Sequence, residues 1–162
     1  MANEIKDLSI QTTISNEEIK SLIYTIRGKQ VILDSDIARL YEVETKKLNQ
    51  AVKRNIKRFP EVFCFQMSES EVENLRSQFV TSSFRNNHGG RRYLPYVFTE
   101  QGVAMLSAIL HSDKAIDVSI KIMDAFIAMR NFLNSNGQVF ERLTNVEYKL
   151  LEHDKKFDKV FN

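Results

Sequence analysis

Between Thr45 and Arg58 the chain places six cations, Lys46, Lys47, Lys53, Arg54, Lys57 and Arg58, with Asn49 and Gln50 among them and no Asp or Glu. Ammonium and guanidinium groups neutralise phosphates, and carboxamides can bond bidentately to the major-groove edge of adenine. On a helical wheel Lys46, Gln50, Lys53 and Lys57 lie opposite Leu48 and Val52, with Lys47, Asn49 and Arg54 flanking them. Such a helix holds a core by one face and offers a polyanion the other. Most Lys-rich helix faces are merely solvated, so the segment just before this one decides between the two readings.

That segment, with its continuation, reads DSDIARLYEVETKKLNQAVKRNIKRFP from Asp34 to Pro60. Asp34 is expected to cap a first helix through its carboxylate, and Ile37, Leu40 and Tyr41 give that helix a buried stripe. Glu42-Val43-Glu44 interrupts the period, and Thr45 is expected to cap a second helix lined by Leu48, Ala51, Val52 and Ile56 and ended by Pro60. Two short helices across a tight turn, the second cationic, suit the helix-turn-helix geometry in which the second helix enters the major groove.

Around this pair the chain supplies a scaffold. Ser15 to Glu18 has capping-box spacing. Leu22–Ile26 and Gln30–Leu33 are β-prone runs joined by Arg27-Gly28-Lys29, a hairpin in which Gly28 takes a positive φ. Val62 to Met67 reads as a further strand, and Ser68 to Glu71 as a second capping box opening a helix through Val72 and Leu75. The polar segment from Val80 to Arg92 centres on Asn86-Asn87-His88-Gly89-Gly90. Arg85, Arg91 and Arg92 flank it, either as a basic wing touching phosphates or as a plain loop. Tyr93 to Phe98 is strand-like, and Pro95 favours an edge position for it. Thr99 should cap a helix to Leu110 in which Gly102 permits close packing. A longer helix follows from Ser112-Asp113 to about Leu133, apolar over most of its circumference. Its main stripe is Ile116, Ile120, Met123 and Ile127, buried within the domain or against a second subunit.

Asn134-Ser135-Asn136-Gly137 reads as a linker. Beyond it Val139, Leu143, Val146, Leu150, His153, Phe157 and Val160 alternate four and three residues apart, a heptad seam with His153 as its polar member. Self-association is the expected use of that seam, giving a dimer or higher homo-oligomer; packing back on the domain is the alternative.

Composition narrows the function class. A length of 162 residues with 43% hydrophobic content allows one domain and an appendage. The net charge of +2 is uninformative as a total, yet residues 61–78 are net acidic between basic neighbours. The single cysteine, Cys64, excludes an internal disulfide framework and fits a reducing cytosol; its apolar surroundings suit an inert core thiol. No apolar run approaches the roughly 18 residues of a membrane span, so a cytoplasmic protein without membrane contact is expected. Enzymatic activity is not expected. Asp34 and Asp36 are more readily caps than ligands of a nuclease metal, and His111 and Ser112 lack an orienting acid. His88 has no ligand partner, and no glycine-rich loop cradles a phosphate. No cofactor is implied.

The whole pattern predicts an α+β protein: a small helix-turn-helix-like domain with short β-hairpins, followed by a C-terminal helix of coiled-coil type. A lead-in covers 1–19, the domain 20–134, and the linker and helix 135–162. Ile26 to Leu33, the Asp34–Pro60 segment continued as EVFCFQMS, then LRSQF and TSS, then GGRRYLPYVFTEQGVAML, together resemble the phage and prophage ORF-six-N domain, a relative of the KilA-N and Bro-N domains. The resemblance runs from about Leu22 to Leu133 and departs from the family in extra length at Arg85-Asn86-Asn87-His88. It implies binding to double-stranded DNA in a phage-type regulatory or antirepressor-like protein. Capture of a repressor protein, without DNA contact, is the alternative function.

Overall fold

A computed structural model describes residues 14–78 and 93–161. The fold is α+β, as the sequence predicts. Helix α1 (Asn16–Ser21) leads into strands β1 (Ile23–Ile26) and β2 (Lys29–Leu33), followed by helices α2 (Asp34–Tyr41) and α3 (Thr45–Arg54) and a 3-10 turn at Ile56–Arg58. Strand β3 (Cys64–Gln66), helix α4 (Glu69–Gln78), strand β4 (Tyr96–Phe98) and helices α5 (Glu100–Leu110), α6 (Asp113–Ser135) and α7 (Gly137–Phe161) complete it. By internal contacts the chain divides into Met1–Ala125 and Phe126–Asn162.

Local chemistry sets many of these boundaries. Both capping boxes form. The Ser15 hydroxyl accepts from the Glu18 amide while the Glu18 carboxylate accepts from the Ser15 amide, and Ser68 and Glu71 repeat the exchange at α4. The β1–β2 turn pairs Ile26 with Lys29, leaving Arg27 and Gly28 both at positive φ, 53° and 71°. Two left-handed residues give the turn the twist an antiparallel pair needs. The turn is then locked to α4: the Arg27 guanidinium makes two hydrogen bonds to Glu71, at 3.0 and 2.8 Å, and lies over the Phe65 ring at 4.4 Å. That guanidinium and the Ser68 amide hold the Glu71 carboxyl down to about 2.

The four strands form one antiparallel sheet in the order β1-β2-β4-β3. Alternation sends Val31, Leu33, Val97 and Phe65 to one face, where they join Met67, Val72 and Leu75 in a core. Ile32 and Phe98 turn to the other face, where Phe59 meets Phe98 edge-on at 6.1 Å. The strand after Pro95 is therefore internal, not at an edge. Proline costs the ladder nothing because it precedes the first paired residue, and its carbonyl accepts from the Met67 amide at 2.9 Å. The strand expected over Val62–Met67 shrinks to Cys64–Gln66, because residues 61–63 form a turn folded back on Pro60. At α5 the Thr99 hydroxyl accepts from the Gly102 amide. A Cβ on Gly102 would collide with the Phe63 carbonyl, so glycine is required there for close approach.

The C-terminal half departs from expectation in two ways: the main α6 stripe is not buried within the chain, which leaves only burial against a second subunit for it, and the expected linker is helical. In α6 the buried residues are Ala115, Val118, Ser119, Ile122, Ala125 and Phe126, while Ile116 and Ile120 are 44% and 50% exposed. A helix apolar nearly all round has no preferred phase, and here the Tyr41 and Ser119 hydroxyls, 2.5 Å apart, mark the inward side. The expected linker is almost wholly helical. Asn134 and Ser135 end α6, Gly137 opens α7, and only Asn136 lies between, its amide bonded to the Phe132 carbonyl at 3.0 Å.

Candidate nucleic-acid interface

The turn between α2 and α3 is built by Glu42, left-handed at φ 58° and ψ 40°, whose amide closes on the carbonyls of α2. Lys114 at the head of α6 reaches the Glu42 carboxylate at 3.3 Å. From this turn α3 runs with Leu48 and Val52 buried, at 0% and 5% exposure. Its first residue is Thr45, half-buried. Glu44 occupies the cap position without a side-chain bond, so Thr45 is not the cap the sequence suggested. The helix ends earlier than expected: Asn55 leaves helical geometry, its side chain bonds back to the Ala51 carbonyl, and Ile56 is 61% exposed instead of extending the buried stripe.

Lys46, Lys47, Gln50, Lys53 and Arg54 are exposed on α3, and Lys57 and Arg58 are exposed on the 3-10 turn that follows. Lys57 therefore continues the basic surface from a separate turn and not from the same helical face. Among the described residues, none of these six cations makes an ion pair. Their only carboxylate-bearing neighbours in sequence, Glu44 and Glu61, lie outside both ends of the segment. Positive charge left uncompensated on one surface is the electrostatic footprint of a polyanion-binding face.

Asn49 is placed differently. Its Nδ2 donates to Asp34 Oδ2 at 2.8 Å and to the Tyr93 hydroxyl at 2.7 Å, so the amide is directed into the domain. Asp34 is not a helix cap at all. Leu33 takes that position, and the Asp34 carboxylate is fully buried as a hub. One oxygen accepts from the Ser35 amide at 2.7 Å; the other accepts from Asn49, from the Tyr93 hydroxyl and from the Tyr96 amide at 3.2 Å. A buried carboxylate needs this many donors to offset its lost hydration. The hub fastens α3 to the head of α2 and to the segment entering β4. Burial, and then the hydrogen bond to the Asp34 anion, raises the Tyr93 phenol well above its usual range. The Asn49 Oδ1 is buried without a partner among the described residues.

Asp34 and Tyr93 are thus positioning residues that local pattern did not reveal, since their partners stand 15, 59 and 62 residues along the chain. Arg85, Arg91, Arg92 and His88 lie outside the described residues. Cys64 is buried, and burial with the nearby Asp34 charge pushes its thiol up to about 12, far from a reactive thiolate at neutral pH. Among the described residues no group of three or more His, Cys, Asp or Glu could hold a metal ion, and no helix is long and apolar enough to cross a membrane.

The family model described as the ORF6N domain matches residues 21–109, more than half of the chain. This span contains both helices of the pair, the whole sheet and nearly all of α5. No curated protein and no solved structure matches.

Proposed function

Because the chain belongs to the ORF6N domain family, we propose that it is a sequence-preferring DNA-binding protein, a phage-type or prophage-derived transcriptional regulator that lays α3 in the major groove of double-stranded DNA. The observation that carries this is the exposed cationic surface of residues 46–58, without ion pairs among the described residues, on a helix and the turn after it, the helix's opposite face being locked into the core. Lys46, Lys47, Lys53, Arg54, Lys57 and Arg58 contact phosphates, which fixes register without reading sequence. Thr45, at the head of the helix, stands where a hydroxyl meets backbone or base. Gln50, exposed among the cations, is the side chain free to read a base edge. Asn49 serves the same surface indirectly by holding α3 against Asp34 and Tyr93.

Binding should depend steeply on salt. Six neutralised phosphates imply an affinity loss on the order of 10³-fold between roughly 50 and 200 mM salt, measured by mobility shift or fluorescence anisotropy on duplex DNA. Lys53→Ala should lower affinity for all sequences alike and flatten that dependence, whereas Gln50→Ala should relax preference at one base pair by about 1–3 kcal/mol. An affinity indifferent to salt would remove the mechanism.

A further inference from the structure

Helix α7 carries an exposed apolar seam and, beside it, a charge pattern that names its own partner. Val139, Leu143, Val146 and Leu150 are 53%, 55%, 52% and 59% exposed, so more than half of each side chain's surface faces solvent. Written as heptads, the leucines at 143 and 150 take the a positions and the valines at 139 and 146 the d positions. The g positions that precede each a are then Arg142, Lys149 and Lys156, all basic. The e positions that follow d at 146 and 153 are Glu147 and Asp154, both acidic.

In a parallel, in-register coil the g residue of one helix faces the e residue of the next heptad on the other, five positions further along. Arg142 then meets the second chain's Glu147, and Lys149 meets its Asp154, with the two-fold axis repeating both pairs. In an antiparallel coil g faces g and e faces e, which sets basic against basic and acidic against acidic. The helix offers these charges little alternative. Arg142, Glu147 and Asp154 have no opposite charge three or four residues away in their own sequence, where an intrahelical pair would form.

We infer that α7 is an interaction surface for a second copy of this chain, and that it associates parallel and in register through the Val139–Leu150 seam. The charge rows are complementary to themselves in that one orientation, so the partner is the same sequence and not an unrelated helix. Leucine at a with a β-branched residue at d leans toward more than two strands. The g-to-e pairing is the same between neighbours in a parallel bundle, so orientation and register are what the pattern assigns. This inference is independent of DNA binding.

Val139→Cys and Phe157→Cys variants of the 162-residue chain, a d and an a position, test it by air oxidation and non-reducing electrophoresis, with the parent chain and its buried Cys64 as control. Parallel register predicts that each variant cross-links efficiently to itself, since like positions face each other. Cross-linking only in a mixture of the two variants means antiparallel helices and overturns the inference, as does no cross-linking in any sample. A second arm reads charge by sedimentation equilibrium. Arg142→Glu with Lys149→Glu should weaken self-association roughly tenfold or more, and adding Glu147→Lys and Asp154→Lys to the same chain should restore it. Association unmoved by the first pair of changes would place the interface elsewhere, for instance on the exposed Ile116–Ile120 stripe of α6.

Discussion

Helices α3 and α7 are written in the same alphabet and meet opposite fates. Each has apolar residues three and four apart with charges between them. In α3 the apolar side is Leu48 and Val52, at 0% and 5% exposure; in α7 every residue of the Val139–Leu150 seam is more than half exposed. The difference lies in what the rest of the chain provides. Helix α3 is ten residues long and has α2 and α5 against it. Its apolar face is used up, and its polar face is the surface available for function. Helix α7 has 25 residues, and among the described residues it is the apolar seam that stays exposed. Amphipathicity thus says that a helix has two faces, and the surrounding fold says which of them is left to work.

This contrast can be broken most sharply in the core of α3. Leu48→Ala should destabilise the folded domain by about 2–5 kcal/mol, the cost of a buried leucine plus its cavity, seen as a lower denaturation midpoint. Leu143→Ala removes the same atoms from α7 and should leave that midpoint nearly unchanged at low protein concentration, while weakening self-association. Equal losses of stability from the two substitutions would erase the distinction.

A smaller effect is expected at the hub. Asn49→Ala withdraws one donor from the buried Asp34 carboxylate and should cost about 1–3 kcal/mol, with a parallel loss of DNA affinity as α3 loosens. Lys47→Ala, two residues away on the exposed side, should lower affinity without touching stability. A stable Asn49→Ala protein would free Asn49 for direct base contact.

The smallest effect is a pH slope confined to the scaffold. Burial raises the Asp36 carboxyl on α2 to about 6, against the opposing pull of Arg39 and with some help from the Asp34 charge. A carboxyl whose folded pKa lies above its unfolded one binds its proton more tightly in the native state. Its contribution is therefore greatest below about pH 4 and is lost as pH rises toward 6, with no further change above. Partly offset by solvent contact, this should appear as a decline on the order of 1–2 kcal/mol across that window. Asp36→Asn should remove the decline, and urea titrations at several pH values between 4 and 7 would show it. A slope that survives in Asp36→Asn belongs to another group.

What the sequence determined by itself is what neighbours within about four residues control. The capping boxes at Ser15 and Ser68, the Arg27-Gly28 turn and the Thr99 cap all depend on such short spacings, and each is where the pattern put it; the cationic run of 45–58 is only in part, since its helix stops at Arg54 and Lys57 and Arg58 sit on a separate turn. The need for glycine at 102 was legible as well, because a small residue in a first helical turn marks a close approach. The tertiary structure decided the rest. Asp34 looked like a cap because a carboxylate at a helix start usually is one; only the return of Tyr93 and Tyr96 through the sheet makes it a buried hub. Pro95 looked like an edge marker, yet strand order is fixed by distant pairing with β2 and β3. Helix α6 could have buried any of several stripes, and the one chosen carries Ser119 because Tyr41 stands there to meet it. Short-range rules fix conformation where the interacting groups are already close along the chain. Which face is buried, and which carboxylate finds its donors, is settled only when segments tens of residues apart compete for the same interior.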